Sequence, residues 1–432
     1  MKAMGALLLY GGFTLSLSYG TATPLFHAQL RERGVDFLVN GCFVLFAAPF
    51  LVLQPHLAQV VLHGLGLLNT FVVGAVCVGS ATLCFTALYL FASARVFLFT
   101  ALATRFVQGA GSALMLLASY AALPYLFPKH VSRANTLFFA SLALGALAAP
   151  LCLDWTLRSL GLPGPFWVGG SLVLYGAIVG CAQALPRDSR SLREVQQFDG
   201  SAALHSPAVL SLSLNYFLVL FLLSFEVSFL ASGGASDPDV QLVAPFAVLQ
   251  LSAFAVTALL LPALPESHSK TVLLVPCNVL LAVGLSLLSP SPELGDSTVK
   301  VVVICGLHLA GIASAVRLGV TPQELIFSSW TLFPGRFKDL LALLGGLRVF
   351  LTGLALLLGP MAALLLQPYL GLGHALQVLS ILLFVGAFVD IWLLFGSIPP
   401  SGPPLRRRQP PPPDELLQQR RLQLALDQRA LR

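Results

Sequence analysis

The apolar residues of this sequence come in runs about as long as a bilayer is thick, one after another along almost the whole chain. About 20 mostly apolar residues cross the hydrocarbon core as one helix. Runs of that kind lie at 4–25, 36–58, 64–92, 96–127, 134–157, 164–185, 207–231, 241–263, 271–289, 300–321, 340–366 and 373–397, which makes twelve. The boundary between the second and third is the least marked, because "PHLAQVVLHGLG" scarcely interrupts the apolar pattern. The first run is too long for a signal-peptide core and lacks a small-residue cleavage site, so it reads as a helix. Composition agrees: 57% of the 432 residues are hydrophobic and 10% charged, against roughly 25% charged in soluble domains. The expected fold class is an all-α membrane protein with twelve transmembrane helices.

Basic residues set the expected orientation, since Lys and Arg collect on the cytoplasmic side of short loops. With the N-terminus inside, 16 fall inside and 5 outside, or 9 against 5 without the C-terminal tail. Both termini are therefore expected in the cytoplasm. The net charge of +6 belongs to loops and tail, and nucleic acid is not an expected partner. The seven cysteines all lie in apolar runs with no metal-ligand or disulfide spacing, and no metal or cofactor is expected. No nucleophile–base pair and no phosphate-binding glycine loop marks an enzyme.

The longest internal polar stretch, Pro186 to Ser206, separates six runs from six. The halves resemble each other. "GAGSAL" at 109–114 is repeated as "GIASAV" at 311–316, "LFPKH" at 126–130 as "LFPGR" at 332–336, and the proline at 150 as that at 360. This divides the chain into an N-terminal six-helix half (1–185), a central cytoplasmic loop (186–206), a C-terminal six-helix half (207–398) and a Pro/Arg-rich tail (399–432). Parallel repeats related by an axis along the membrane normal build one major transporter architecture. In the tail, Arg406 to Arg408 suit an anchor near anionic lipid, and Asp414 can cap a short helix.

Charges within the runs are few: Arg105, Glu226, Arg317 and Arg348, with Asp154 and Asp390 nearer run ends. An ionisable residue at membrane depth faces protein or water, not lipid. Helical spacing gathers polar stripes, because residues three and four apart share a face. Ser314, Arg317, Thr321 and Glu324 form one, Arg105, Gln108 and Ser112 a second, and Arg348 with Thr352 a third. Arg317 is expected to point into an aqueous cavity between the halves, or to pair with Glu226 or Glu324. Small glycines let helices approach closely, and prolines bend them.

"LATRFVQGAGSA" resembles the fourth-helix signature of the major facilitator superfamily, with Arg105, Gln108, Gly109 and Gly111 matching. "GLALLLGPMAALLLQPYLG" resembles its antiporter glycine–proline motif at Gly359 and Pro360, and "LGALAAPLCLD" the fifth-helix copy at Gly145 and Pro150. The resemblance implies a secondary transporter working by alternating access, with a cavity lined mainly by spans one, four, seven and ten. One departure stands out. The family's charged loop between spans two and three is here "QPHLAQVVLHGLGLLN", without an acid or a strong base, so no charge latch is expected from it. "QGAGSA" and "LLLGPMAA" are similar to the proton-coupled amine and polyamine antiporters. "VDFLVNGCF", "ALPYLFPKH" and "LFPGRFKDLLALL" are similar to the large neutral amino acid facilitators.

Arginine binds carboxylates readily, so the cavity arginines favour a small polar organic solute with a carboxylate, such as an amino acid. The alternatives are a proton-coupled amine or polyamine antiporter and a non-transporting receptor or scaffold. Expected substrate contacts are Arg317, Glu226, Arg105, Ser314, Thr321 and Gln108. Expected coupling and gating residues are Glu226, Arg105, Arg348, Gly109, Gly111, Pro150, Gly359 and Pro360. The expected partners are the solute, protons as the candidate coupling ion, and the bilayer, with the chain acting as a monomer.

Overall fold

Lipid leaves a backbone no outside hydrogen-bond partner, so each crossing segment must satisfy its own amides and carbonyls. The structure, a computed structural model, describes residues 2–32, 39–88, 93–128, 130–184, 204–232, 247–263, 273–288, 296–330, 336–366, 369–370 and 372–396. Among these residues the regular structure is entirely helical. The N-terminal half holds α1 (Lys2–Glu32), α2 (Val39–Val52), α3 (Pro55–Leu65), α4 (Leu67–Leu88), α5 (Ala94–Leu126), α6 (Val131–Leu160) and α7 (Gly164–Ala184). The C-terminal half holds α8 (Pro207–Ser232), α9 (Ala247–Leu260), α10 (Leu274–Ser286), α11 (Asp296–Trp330), α12 (Phe337–Leu366) and α13 (Leu372–Gly396). Most of the central loop and the whole C-terminal tail lie outside the described residues.

Seven of these helices are long and apolar enough to cross a membrane, and α2 with α3 forms an eighth candidate, bent by 73°. With α2–α3 taken as one broken segment, the described helices form twelve segments, the architecture expected. The second and third segments differ from the apolar runs. The first helix of the second segment ends at Val52, and "PHLAQVVLHGL" becomes a separate helix. Its start is set by Pro55, whose missing amide and fixed φ suit the first helical turn. Its end is set by Gly66, whose φ of +81° lies in the left-handed region that glycine enters freely. Ala58, Gln59 and Leu62 turn inward from α3.

Packing repeats the sequence symmetry. In the N-terminal half α4 packs on α5 and α7, α1 on α6, and α2 on α5. In the C-terminal half α10 packs on α11 and α13, α8 on α12, and α9 on α11, the equivalent pairings. The halves meet reciprocally: α6 lies against α9 and α11, while α12 lies against α2 and α5.

The repeated glycines show why the motif recurs. A Cβ on Gly109 would lie 2.2 Å from the Phe46 carbonyl oxygen, and one on Gly311 would lie 2.3 Å from the Gln250 carbonyl oxygen. At both places the long central helix sits directly on the backbone of the second segment of its half, a separation that only glycine permits. Gly109→Val and Gly311→Val should each destabilise the bundle by about 1–3 kcal/mol or more, the usual range for overpacking. Thermal unfolding in detergent monitored by size exclusion checks this; an unchanged midpoint in either variant would contradict the packing.

Candidate functional site

The first buried cation sits wholly inside the N-terminal half. Arg105 and Gln108 are three residues apart on α5, so their side chains share a face. Arg105 Nη1 donates to Gln108 Oε1 at 2.8 Å, and Gln108 Nε2 donates to Thr82 Oγ1 on α4 at 3.3 Å. Thr82 in turn shares a 2.8 Å hydrogen bond with Ser18 on α1. The guanidinium lies 4.9 Å from the Phe85 ring centre and 5.7 Å from that of Tyr19, within cation–π range.

The C-terminal half holds a second cation. Arg317 Nη2 donates to the side-chain oxygen of Asn215 on α8 and to its backbone carbonyl at 3.2 Å. Asn278 on α10 donates to the same side-chain oxygen at 3.2 Å. The stripe partners Ser314, Thr321 and Glu324 are buried, and Thr321 Oγ1 donates to the Arg317 carbonyl at 2.7 Å. Glu226 on α8 is not the ion-pair partner of Arg317: its Oε2 accepts a 2.8 Å hydrogen bond from Gln250 Nε2 on α9. Arg105, Arg317 and Glu226 thus each have partners within their own half. Asp154 lies well exposed at the end of α6, with Arg158 Nε donating to it at 2.9 Å.

Arg348 on α12 is enclosed from both halves. Its Nη1 donates to Asn135 Oδ1 on α6 at 3.2 Å. Its guanidinium carbon sits 3.7 Å from the Tyr120 ring centre on α5, 5.9 Å from that of Phe139 on α6 and 5.6 Å from that of Tyr216 on α8. The Tyr216 hydroxyl donates to the Tyr120 hydroxyl at 3.2 Å, joining the halves beside it. The residue is 2% exposed, and among the described residues Nε and Nη2 have no hydrogen-bond partner.

At one end of the bundle a different contact joins the halves. His63 Nε2 on α3 lies 3.2 Å from Asp339 Oδ1 in the first turn of α12, and Gln59 Nε2 donates to the Asp339 carbonyl at 3.4 Å. Lys338 sits 5.2 Å from the Tyr125 ring centre on α5. A loop without an acid or a strong base therefore still reaches the other half, because histidine and glutamine lie against α12, which supplies the acid. The glycines expected to gate stand where helices approach closely. A Cβ on Gly111 would lie 2.6 Å from the Gly74 carbonyl oxygen, and one on Gly359 would lie 2.8 Å from Ser224 Cβ on α8. Pro150 lies within α6 on an exposed face, and Pro360 within α12 is buried.

A sequence profile of the Major Facilitator Superfamily matches residues 8–325. The chain belongs to the major facilitator superfamily. No curated protein matches it by sequence. Among solved structures, the human organic anion transporter MFSD10 (TETRAN) superposes with a TM-score of 0.69 at 18% identity, over 90% of this chain and 99% of that one. The E. coli fucose:proton symporter FucP superposes with a TM-score of 0.64 at 16% identity, over 90% of this chain and 98% of that one. At such identities the likeness carries the fold. As a superfamily member the chain is a multi-pass secondary transporter, not an enzyme.

Sequence reasoning missed Asn135, Asn215, Tyr120, Tyr216 and the His63–Asp339 contact. One signal was available: asparagine is scarce here, with five in the chain, and Asn135, Asn215 and Asn278 stand inside apolar runs. The His63 and Asp339 side chains are 23% and 27% exposed, so solvent limits their pair to about 0.5–1 kcal/mol. Asp339→Ala should therefore open that end by a few-fold in population. In a cysteine-free background carrying Thr352→Cys, maleimide labelling should speed up about two- to fivefold when Asp339 is removed; an unchanged rate would mean that the contact does not latch.

Proposed function

We propose that this transporter carries a small polar organic solute bearing a carboxylate, an amino acid being the leading example, by alternating access of its two halves. The observation that carries the reading is a charge imbalance. Three arginines, Arg105, Arg317 and Arg348, are buried in the described spans against two carboxylates, Glu226 and Glu324. A low-dielectric interior with surplus positive charge favours an anionic guest. Arg105 with Gln108, and Arg317 with Ser314 and Thr321, give each half positive and polar character. MFSD10, described as an organic anion transporter, shares the fold. The basic-residue count favours both termini in the cytoplasm. The His63–Asp339 contact then closes the cytoplasmic end, and solute enters from the opposite face.

Glu226, buried and bonded to an uncharged glutamine, is the proposed proton carrier, because it can gain or lose a proton without breaking an ion pair. FucP, described as a proton symporter, shares the fold.

Uptake into liposomes across a labelled panel, with and without an inward proton gradient, tests both parts. The panel holds amino acids, other carboxylates, their amides and polyamines. Carboxylates should accumulate and their amides should not; selective uptake of polyamines would overturn the anionic reading. Glu226→Gln should abolish the response to the gradient while solute exchange at equal pH persists, and a retained response would exclude Glu226 as the carrier.

A further inference from the structure

Among the buried cations, Arg348 has a geometry that does not look structural. Its Nη1 is taken by Asn135, while Nε and Nη2 are buried without a hydrogen-bond partner among the described residues. Those two nitrogens form one edge of the guanidinium, with two N–H bonds pointing the same way. That edge matches the two oxygens of a carboxylate in a bidentate pair. An arginine serving only to staple helices would be expected to have its edge answered by an acid, since an unanswered charged donor is among the costlier things to bury. Among the described residues no carboxylate lies within ion-pair distance of Arg348. Tyr120, Phe139 and Tyr216 present ring faces to the guanidinium and hold it in place, but a ring face cannot accept hydrogen bonds along the free edge.

Position adds a second argument. Arg348 stands where α5 and α6 of one half meet α8 and α12 of the other, next to the Tyr216–Tyr120 hydrogen bond. A ligand bound there touches both halves, so its binding energy can act on their relative position.

We infer that the Nε–Nη2 edge of Arg348 grips the carboxylate of the transported solute, and that the surrounding rings select a monocarboxylate with a flat, apolar body. This rests on the anionic reading above and moves the point of recognition to the seam between the halves. One guanidinium answers one carboxylate, and the aromatic walls favour a ring or hydrocarbon beyond it.

Benzoate and benzamide, which share shape but not charge, are the probes. With the full chain purified in detergent, benzoate should raise the thermal midpoint and benzamide should not; absence of a benzoate shift overturns the inference. Arg348→Lys keeps the charge but loses the paired edge, and should raise the KM for labelled benzoate uptake at least tenfold. Asn135→Asp places an acid beside Arg348 and neutralises it in place, and it serves if the lysine variant fails to fold. It should preserve or raise the intrinsic midpoint while abolishing the benzoate shift. Wild-type benzoate affinity in either folded variant overturns the assignment. If the panel shows carboxylate uptake while these variants bind benzoate normally, the anionic reading stands and Arg348 is not its anchor. If no carboxylate is taken up, the anionic reading itself has failed.

Discussion

Hydrocarbon answers no hydrogen bond, and the structure follows from that. Backbones coil into helices because a helix satisfies its own amides. The same rule governs the side chains. Each buried arginine is met by a neutral oxygen: Gln108 for Arg105, Asn215 for Arg317 and Asn135 for Arg348. Around Arg348 the contact is completed by aromatic rings, those of Tyr120, Phe139 and Tyr216. An amide oxygen and ring faces together hold a guanidinium at membrane depth.

The two halves use one packing scheme twice, and the contact between them is the same scheme inverted. Segment α6 reaches across to α9 and α11, and its counterpart α12 reaches across to α2 and α5. Neither half can shift without both crossing helices sliding. Arg348 lies on one crossing helix and Asn135 on the other, so a single hydrogen bond joins the two elements that must move past each other.

Much of this was legible in the sequence, for reasons that differ by feature. Apolar run length gave twelve segments because the bilayer imposes a length on each. The repeated glycines at 109 and 311 signalled the duplicated halves because both permit the same backbone contact. Spacing placed Arg317, Thr321 and Ser314 on one face, but it could not say what that face meets. Asn215, which accepts from Arg317, is 102 residues away, and Asn135, which accepts from Arg348, is 213 away, and no local pattern encodes pairings at that distance. The contact of α3 with α12 was unreadable for a related reason. His63 looked incidental in a loop without strong charge, and only the fold brings it to Asp339 at the start of α12.

The enclosure of Arg348 has one more consequence. With 2% of its surface open and contacts drawn from α5, α6 and α8, the residue is held by helices of both halves at once. Any displacement of one half against the other must break or remake some of these contacts, so this one side chain registers how the halves stand relative to each other.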